Sequence, residues 1–190
     1  TSVYGKQAKL VSEEDEHLIK PQSPYADIKL IEENMLKKLG KKINYTSFRF
    51  GTIAGISRGM RFHTAVNKFC FDAALNRKIT VYKTAYDQFR PYLSIRDAFK
   101  VFKFCIEKNF YKNKTYNALS GNFSVSQIIY MIKKIKKNVD IKAINSPIMN
   151  KLNFIVSSKN LNKQGLFLKS KINTDISDTL KLFKNIKNEM

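Results

Sequence analysis

The sequence predicts an α/β chain, on three observations. Segments of helical period alternate with short runs of strand period, most helical segments begin at a capping signal, and neither an internal repeat nor a flexible linker interrupts them. Residues 1–22 read as a strand end followed by a polar, locally acidic loop. A helix then starts at Ser23 (N-cap) and Pro24, carries Ile28, Ile31, Met35 and Leu39 at helical spacing, and stops at Gly40. Residues 45–53 ("YTSFRFGTI") set Phe48, Phe50 and Thr52 on one face and read as a single strand. A Gly-containing loop, a helix over 62–75 and a short strand over 78–82 follow. Residues 90–109 begin extended and become a helix, with Ser94 and Asp97 spaced as a capping box and Phe99, Phe102 and Ile106 on its expected buried side. "KTYNAL" reads as a strand. Ser124 and Gln127 start another amphipathic helix, "VDIKAI" is a strand, and a terminal helix carries Ile176, Leu180 and Phe183 on one stripe.

Composition bounds the function. The 190 residues, 43% of them hydrophobic with 14 Phe, suffice for a packed core. No apolar run is long enough to span a membrane, and the first ten residues lack a signal-peptide core. Cys70 and Cys105 show no metal-ligand or redox spacing, so no metal is expected, and the pair suits a reducing cytoplasm. The net charge of +20 fits an anionic partner such as nucleic acid, a membrane or a phosphorylated substrate. It also fits drift in a Lys-, Asn- and Ile-rich chain, since the lysines are spread rather than gathered in one patch. His17, in the acidic loop, carries no signal.

In "SPYADIK", Tyr25 and Lys29 lie four apart and share one helix face. An ammonium beside a phenol favours the phenolate, and such a tyrosine can exchange protons with an alcohol. The same spacing also occurs on ordinary solvated helix faces. The flanks add to it: "TSVYG" precedes the pair, "FRFGTIAG" follows, and "KITVYKTAYDQFRPYLSIRDAFKVF" comes later. In that order these segments resemble the extended short-chain dehydrogenase/reductase family, above all its NAD-dependent nucleotide-sugar epimerases and dehydratases.

The resemblance implies the later part of a Rossmann-type doubly wound sheet with a small C-terminal substrate-binding lobe. Rossmann-side elements would be about 1–54 and 91–121, substrate-lobe elements about 55–90 and 122–173, and the terminal helix 174–190. It implies Tyr25 as acid/base, with Lys29 lowering its pKa and bonding the nicotinamide ribose, and Ile53 and Ala54 passing near the nicotinamide. The family's substrate-holding hydroxyl would fall just before Thr1, leaving Thr1 and Ser2 beside the substrate. Thr52 stands where many members have a substrate-facing Asn; it is either a sugar contact or a plain strand threonine. Arg90 matches the arginine that grips the diphosphate, and Tyr82 would flank the base. Arg58 and Arg61 lie in the loop over the sugar diphosphate, as contacts or as solvated charges, and His63 follows as a sugar contact or a helix-start residue.

No Gly-x-x-Gly-x-x-Gly turn follows an N-terminal strand. The expectation is therefore the C-terminal part of a longer NAD enzyme, inactive alone, with its first half in the same gene, in a partner chain or lost. The activity expected by resemblance is cytoplasmic nucleotide-sugar epimerisation through a keto-sugar, or dehydration as the variant. The substrate would be a nucleotide-diphosphate sugar, with a homodimer through the Tyr-Lys helix as the weaker partner expectation. A nucleic-acid-binding protein and a non-enzymatic relic are the rivals from other classes.

Overall fold

The computed structural model describes residues 1–5, 7, 10–40, 42–145 and 153–187, with side chains to 184. Four of its five strand pairings are parallel: β1 (Leu10–Val11) with β9 (Ile155–Val156), β2 (Thr46–Phe50) with β6 (Lys114–Ala118), β3 (Thr52–Ala54) with β5 (Phe89–Ser94), and β4 (Ile79–Tyr82) with β8 (Ile141–Ile144). The fifth, β5 with β7 (Gly121–Ser124), is antiparallel. Parallel neighbours require crossovers. The chain supplies helices for them: α2 (Ala65–Ala74) between β3 and β5, α3 (Ile95–Glu107) between β2 and β6, and α4 (Val125–Ile135) between β4 and β8. With α1 (Pro24–Leu39), the short α5 (Lys159–Lys163) and the terminal α6 (Ile172–Lys187), this is a Rossmann-like α/β architecture, and the predicted fold class holds.

The run read as one strand over 45–53 is two strands broken at Gly51. A Cβ there would lie 2.9 Å from the backbone of Tyr92 and 3.0 Å from that of Pro91. Only glycine lets the chain pass so close, and past it the chain leaves β6 and pairs with β5. The opening residues are also not a strand end: Ser2–Tyr4 form a 3-10 turn, with Val3 and Tyr4 buried.

One core joins α2, α4 and α6 to β3, β4 and β5. Ile79, Ile128, Ile129, Ile132 and Ile176 are almost fully buried in it, and Leu180 and Phe183 complete the predicted α6 stripe. Arg96 at the start of α3 ties α6 down through Asp175 and Asp178.

The sheet of β2 and β6 is different. Alternation along β2 turns Arg49 toward α1, where it pairs with Glu33, and Phe50 toward α3, where its ring meets Phe102 at 5.8 Å. The two helices thus lie on opposite faces of β2. Among the described residues β2 has one strand neighbour, β6. The apolar stripes read from periodicity face outward here: Ile28, Ile31 and Met35 on α1, and Phe99, Phe102 and Ile106 on α3, are all more than half exposed. The assignment of the α3 stripe as the buried side is therefore corrected; Asp97, Ala98 and Val101, about one residue around the helix, face the core. No helix among the described residues is long and apolar enough to cross a membrane.

Candidate active site

Helix α1 positions the tyrosine. The Ala26 N–H donates to Ser23 Oγ at 3.3 Å, and Pro24 needs no partner for a missing N–H, so the helix starts sharply and Tyr25 sits in its first turn. Tyr25 is 59% exposed and stands where two clefts meet. A cleft of about 310 Å³ is lined by Ser2, Tyr25, Lys29, Phe50 and the Glu33–Arg49 pair. One of about 660 Å³ is lined by Ser2, Tyr25, Thr52, Ile53, Arg61 and His63. Lys29 Nζ lies 5.7 Å from the Tyr25 ring centroid and 2.7 Å from Glu32, whose hydrogen bond holds the ammonium above the ordinary lysine range.

The structure thus brings together Ser2, Tyr25, Lys29, Thr52, Ile53 and Arg61. Thr1 joins them and is anchored by Oγ1 donating to the Phe50 carbonyl at 3.2 Å. Arg58, Tyr82 and Arg90 line neither cleft. Tyr82 is exposed at the end of β4, and Arg58 is exposed in the loop before α2. Arg90, half-buried on β5, donates to Gln88 Oε1 at 3.2 Å. Burial pushes its pKa down, and among the described residues it has no carboxylate partner.

Two features escaped the sequence reading. Buried Asn67 fixes the loop over the larger cleft: its Oδ1 accepts the Gly55 N–H and its Nδ2 donates to the Arg61 carbonyl, both at 3.3 Å. Nothing in "HTAVNKF" marks this Asn apart from its place on an otherwise apolar helix face. The second is a buried network beneath Tyr25. Arg49 Nε and Nη2 donate to the two Glu33 oxygens at 2.9 and 2.7 Å, Nη1 donates to Tyr4 Oη at 2.8 Å, and that hydroxyl donates to Asn117 Oδ1 at 3.0 Å. An arginine at an inward strand position, in a chain whose cations are mostly lysine, was the available signal.

The model of the NAD dependent epimerase/dehydratase family matches residues 1–118. The chain belongs to this family. The resemblance carried by the Tyr-Lys helix and its flanks is thereby borne out, and NAD dependence is a property of the family. Solved structures agree on the fold. UDP-glucuronic acid 4-epimerase from Bacillus cereus superposes with a TM-score of 0.82 at 22% identity, over 98% of this chain and 60% of that one. UDP-N-acetylglucosamine 4-epimerase from Methanobrevibacter ruminantium gives 0.80 at 21%, over 99% and 61%. dTDP-glucose 4,6-dehydratase from Bacillus anthracis gives 0.78 at 18%, over 98% and 60%. The chain thus spans about 60% of the length of these relatives.

Proposed function

We propose that this chain carries the substrate side and the acid/base tyrosine of a nucleotide-sugar epimerase. The observation that carries the reading is the position of Tyr25 at the junction of the two clefts, with Lys29 in one and Thr52, Ile53 and Arg61 in the other. The donor set fits the nicotinamide-ribose end of NAD: a phenol, an ammonium and small hydroxyls around an open cleft. When bound, NAD supplies reversible hydride acceptance. The phenol oxygen of Tyr25 takes the proton of the sugar hydroxyl being oxidised, and the Lys29 ammonium stabilises negative charge on that oxygen. Ser2, Thr1 and Thr52 hold the resulting keto-sugar by hydrogen bonds, and reduction from its opposite face inverts the carbon. Arg90 grips the diphosphate of the nucleotide sugar, with Arg58 and Arg61 over it and Tyr82 against the base. In this reading residues 1–54 and 91–121 belong to the cofactor side and 55–90 with 122–173 to the substrate lobe.

The sequence holds no Gly-rich turn of the kind that cradles the pyrophosphate. The reading therefore places the dinucleotide-binding half of the family on the open side of β2, against the α3 stripe. Three features support this occupant: the single strand neighbour of β2 among the described residues, the apolar surface beside that edge, and the 60% share of the relatives' length. The outward stripe of α1 is left for a second copy of the enzyme. The test is Tyr25→Phe in the NAD-loaded protein with both halves present. Turnover of the nucleotide sugar falls about 10³-fold while thermal stability is unchanged, because the ring is exposed. Turnover at the wild-type rate would remove Tyr25 from the chemistry.

A further inference from the structure

Lys29 and Glu33 lie four residues apart on α1, the spacing at which a lysine and a glutamate pair on a helix. They do not pair. Both Glu33 oxygens are taken by Arg49 in a two-pronged contact, and Lys29 turns outward to Glu32. Glu33, Arg49, Lys29 and Tyr25 nevertheless line one cleft. The pair is buried: the side chains of Arg49 and Glu33 are 4% and 9% exposed. Burying two charges brings little net stability, since a well-packed apolar pair of similar volume is often as good. A two-pronged guanidinium contact fixes geometry instead. The third prong reaches Tyr4, two residues after Ser2, and so links the turn carrying Ser2 to the helix carrying Tyr25.

We propose that Arg49 is a positioning residue which occupies Glu33 and so keeps that buried carboxylate off Lys29, leaving the ammonium with only its exposed contact to Glu32. The proposal rests on the reading of Tyr25 and Lys29 given above. Without Arg49 the Glu33 carboxylate takes Lys29 from its exposed contact with Glu32 and holds the ammonium in a buried pair, away from the Tyr25 oxygen. The ionisable groups facing Lys29 and Glu33 are Tyr25 and Glu32 on α1, Arg49 on β2, and Tyr4 from the turn.

The test follows Lys29 directly, by carbon-13 NMR of the reductively methylated 190-residue chain, with its signal assigned by loss in Lys29→Arg. The reference is Glu32→Gln, which removes the present partner of Lys29. In that background Arg49→Met raises the titration midpoint of Lys29 by about half a unit, as a carboxylate arriving at pairing distance requires. Adding Glu33→Gln returns it to the reference value, and Glu33→Gln without Arg49→Met does not raise it. A midpoint unmoved by Arg49→Met in the folded Glu32→Gln chain overturns the proposal. Should that variant fail to fold, Arg49→Lys serves: one ammonium cannot fill both oxygens, so a smaller rise is expected, and no rise overturns the proposal equally. This readout uses neither NAD nor sugar, so it stands or falls apart from the Tyr25→Phe turnover test. In the loaded enzyme Arg49→Met lowers kcat with a displaced pH profile, and Arg49→Met/Glu33→Gln restores the profile, which a purely structural defect would not allow.

Discussion

The α2–α4–α6 region and the α1–β2–α3 region use the same ingredients to opposite effect. Both pack amphipathic helices on parallel strands. In the first, every apolar stripe finds a partner, and Ile128, Ile129, Ile132 and Ile176 are closed off from solvent. In the second, Phe99, Phe102 and Ile106 are 67%, 57% and 75% exposed beside a strand with a single neighbour among the described residues. The difference teaches that helical period identifies which face of a helix is apolar, not what covers it. α3 is apolar on two sides; one packs with Leu93 of β5 and with Tyr116 and Ala118 of β6, and the other faces solvent.

The largest expected effect sharpens this contrast. Ile129→Ala in the closed region should cost about 3 kcal/mol in chemical unfolding, through lost burial and the cavity left behind. Ile106→Ala in the open region should cost under about 0.5 kcal/mol. Equal losses would break the comparison, because they would mean that the α3 stripe is already covered.

A smaller effect is expected at Asp97, which faces the covered side of the same helix. Its carboxylate accepts from the Ser170 N–H at 2.8 Å, Ser170 Oγ at 2.6 Å, Ser120 Oγ at 2.7 Å and Lys100 at 2.8 Å. Burial pushes its pKa up, but the Lys100, Ser170 and Ser120 donors together outweigh burial and hold it below the ordinary 3.8. A depressed folded pKa stabilises above the unfolded value and ceases to as pH falls through the folded one. Asp97→Asn should therefore cost about 2 kcal/mol at neutral pH. The gap in melting temperature from wild type should begin to narrow below about pH 4 and close only as pH falls through the lower folded value. A gap independent of pH would mean that Asp97 acts by packing alone.

A smaller effect than that at Asp97 is expected at a helix start in the closed region. Ser124 Oγ accepts the Gln127 N–H at 3.2 Å and Gln127 Oε1 accepts the Ser124 N–H at 2.9 Å. Ser124→Ala should cost about 1 kcal/mol by thermal melting.

Local signals were legible where one contact decides them. Ser23, Pro24 and Gly40 bounded α1, Ser124 and Gln127 opened α4, and "ITVY" marked β4. The Ser94–Asp97 box was misread. Ser94 Oγ does accept the Arg96 N–H, but its own N–H goes to Ser120 and Asp97 is drawn away by residues over twenty positions distant. The two-residue strands β1 and β9 carry no period, and β7 is held by its pairing with β5 rather than by its own pattern. In the site, the Tyr25–Lys29 spacing and its flanks were readable. The Glu33–Arg49–Tyr4–Asn117 network was not, since its members are 16, 45 and 113 residues apart in pairs.

The central claim is that the open face of β2 and α3 receives a dinucleotide-binding half and so completes the site around Tyr25. The most direct measurement is calorimetric binding of NAD to this chain alone, to the dinucleotide-binding half alone, and to the two combined, with Phe99→Glu/Phe102→Glu as the control. The account predicts tight binding only in the combination, and its loss in the control while the substituted chain keeps its melting temperature. Tight NAD binding to this chain alone, or a combination indifferent to two charges in the α3 stripe, would contradict it.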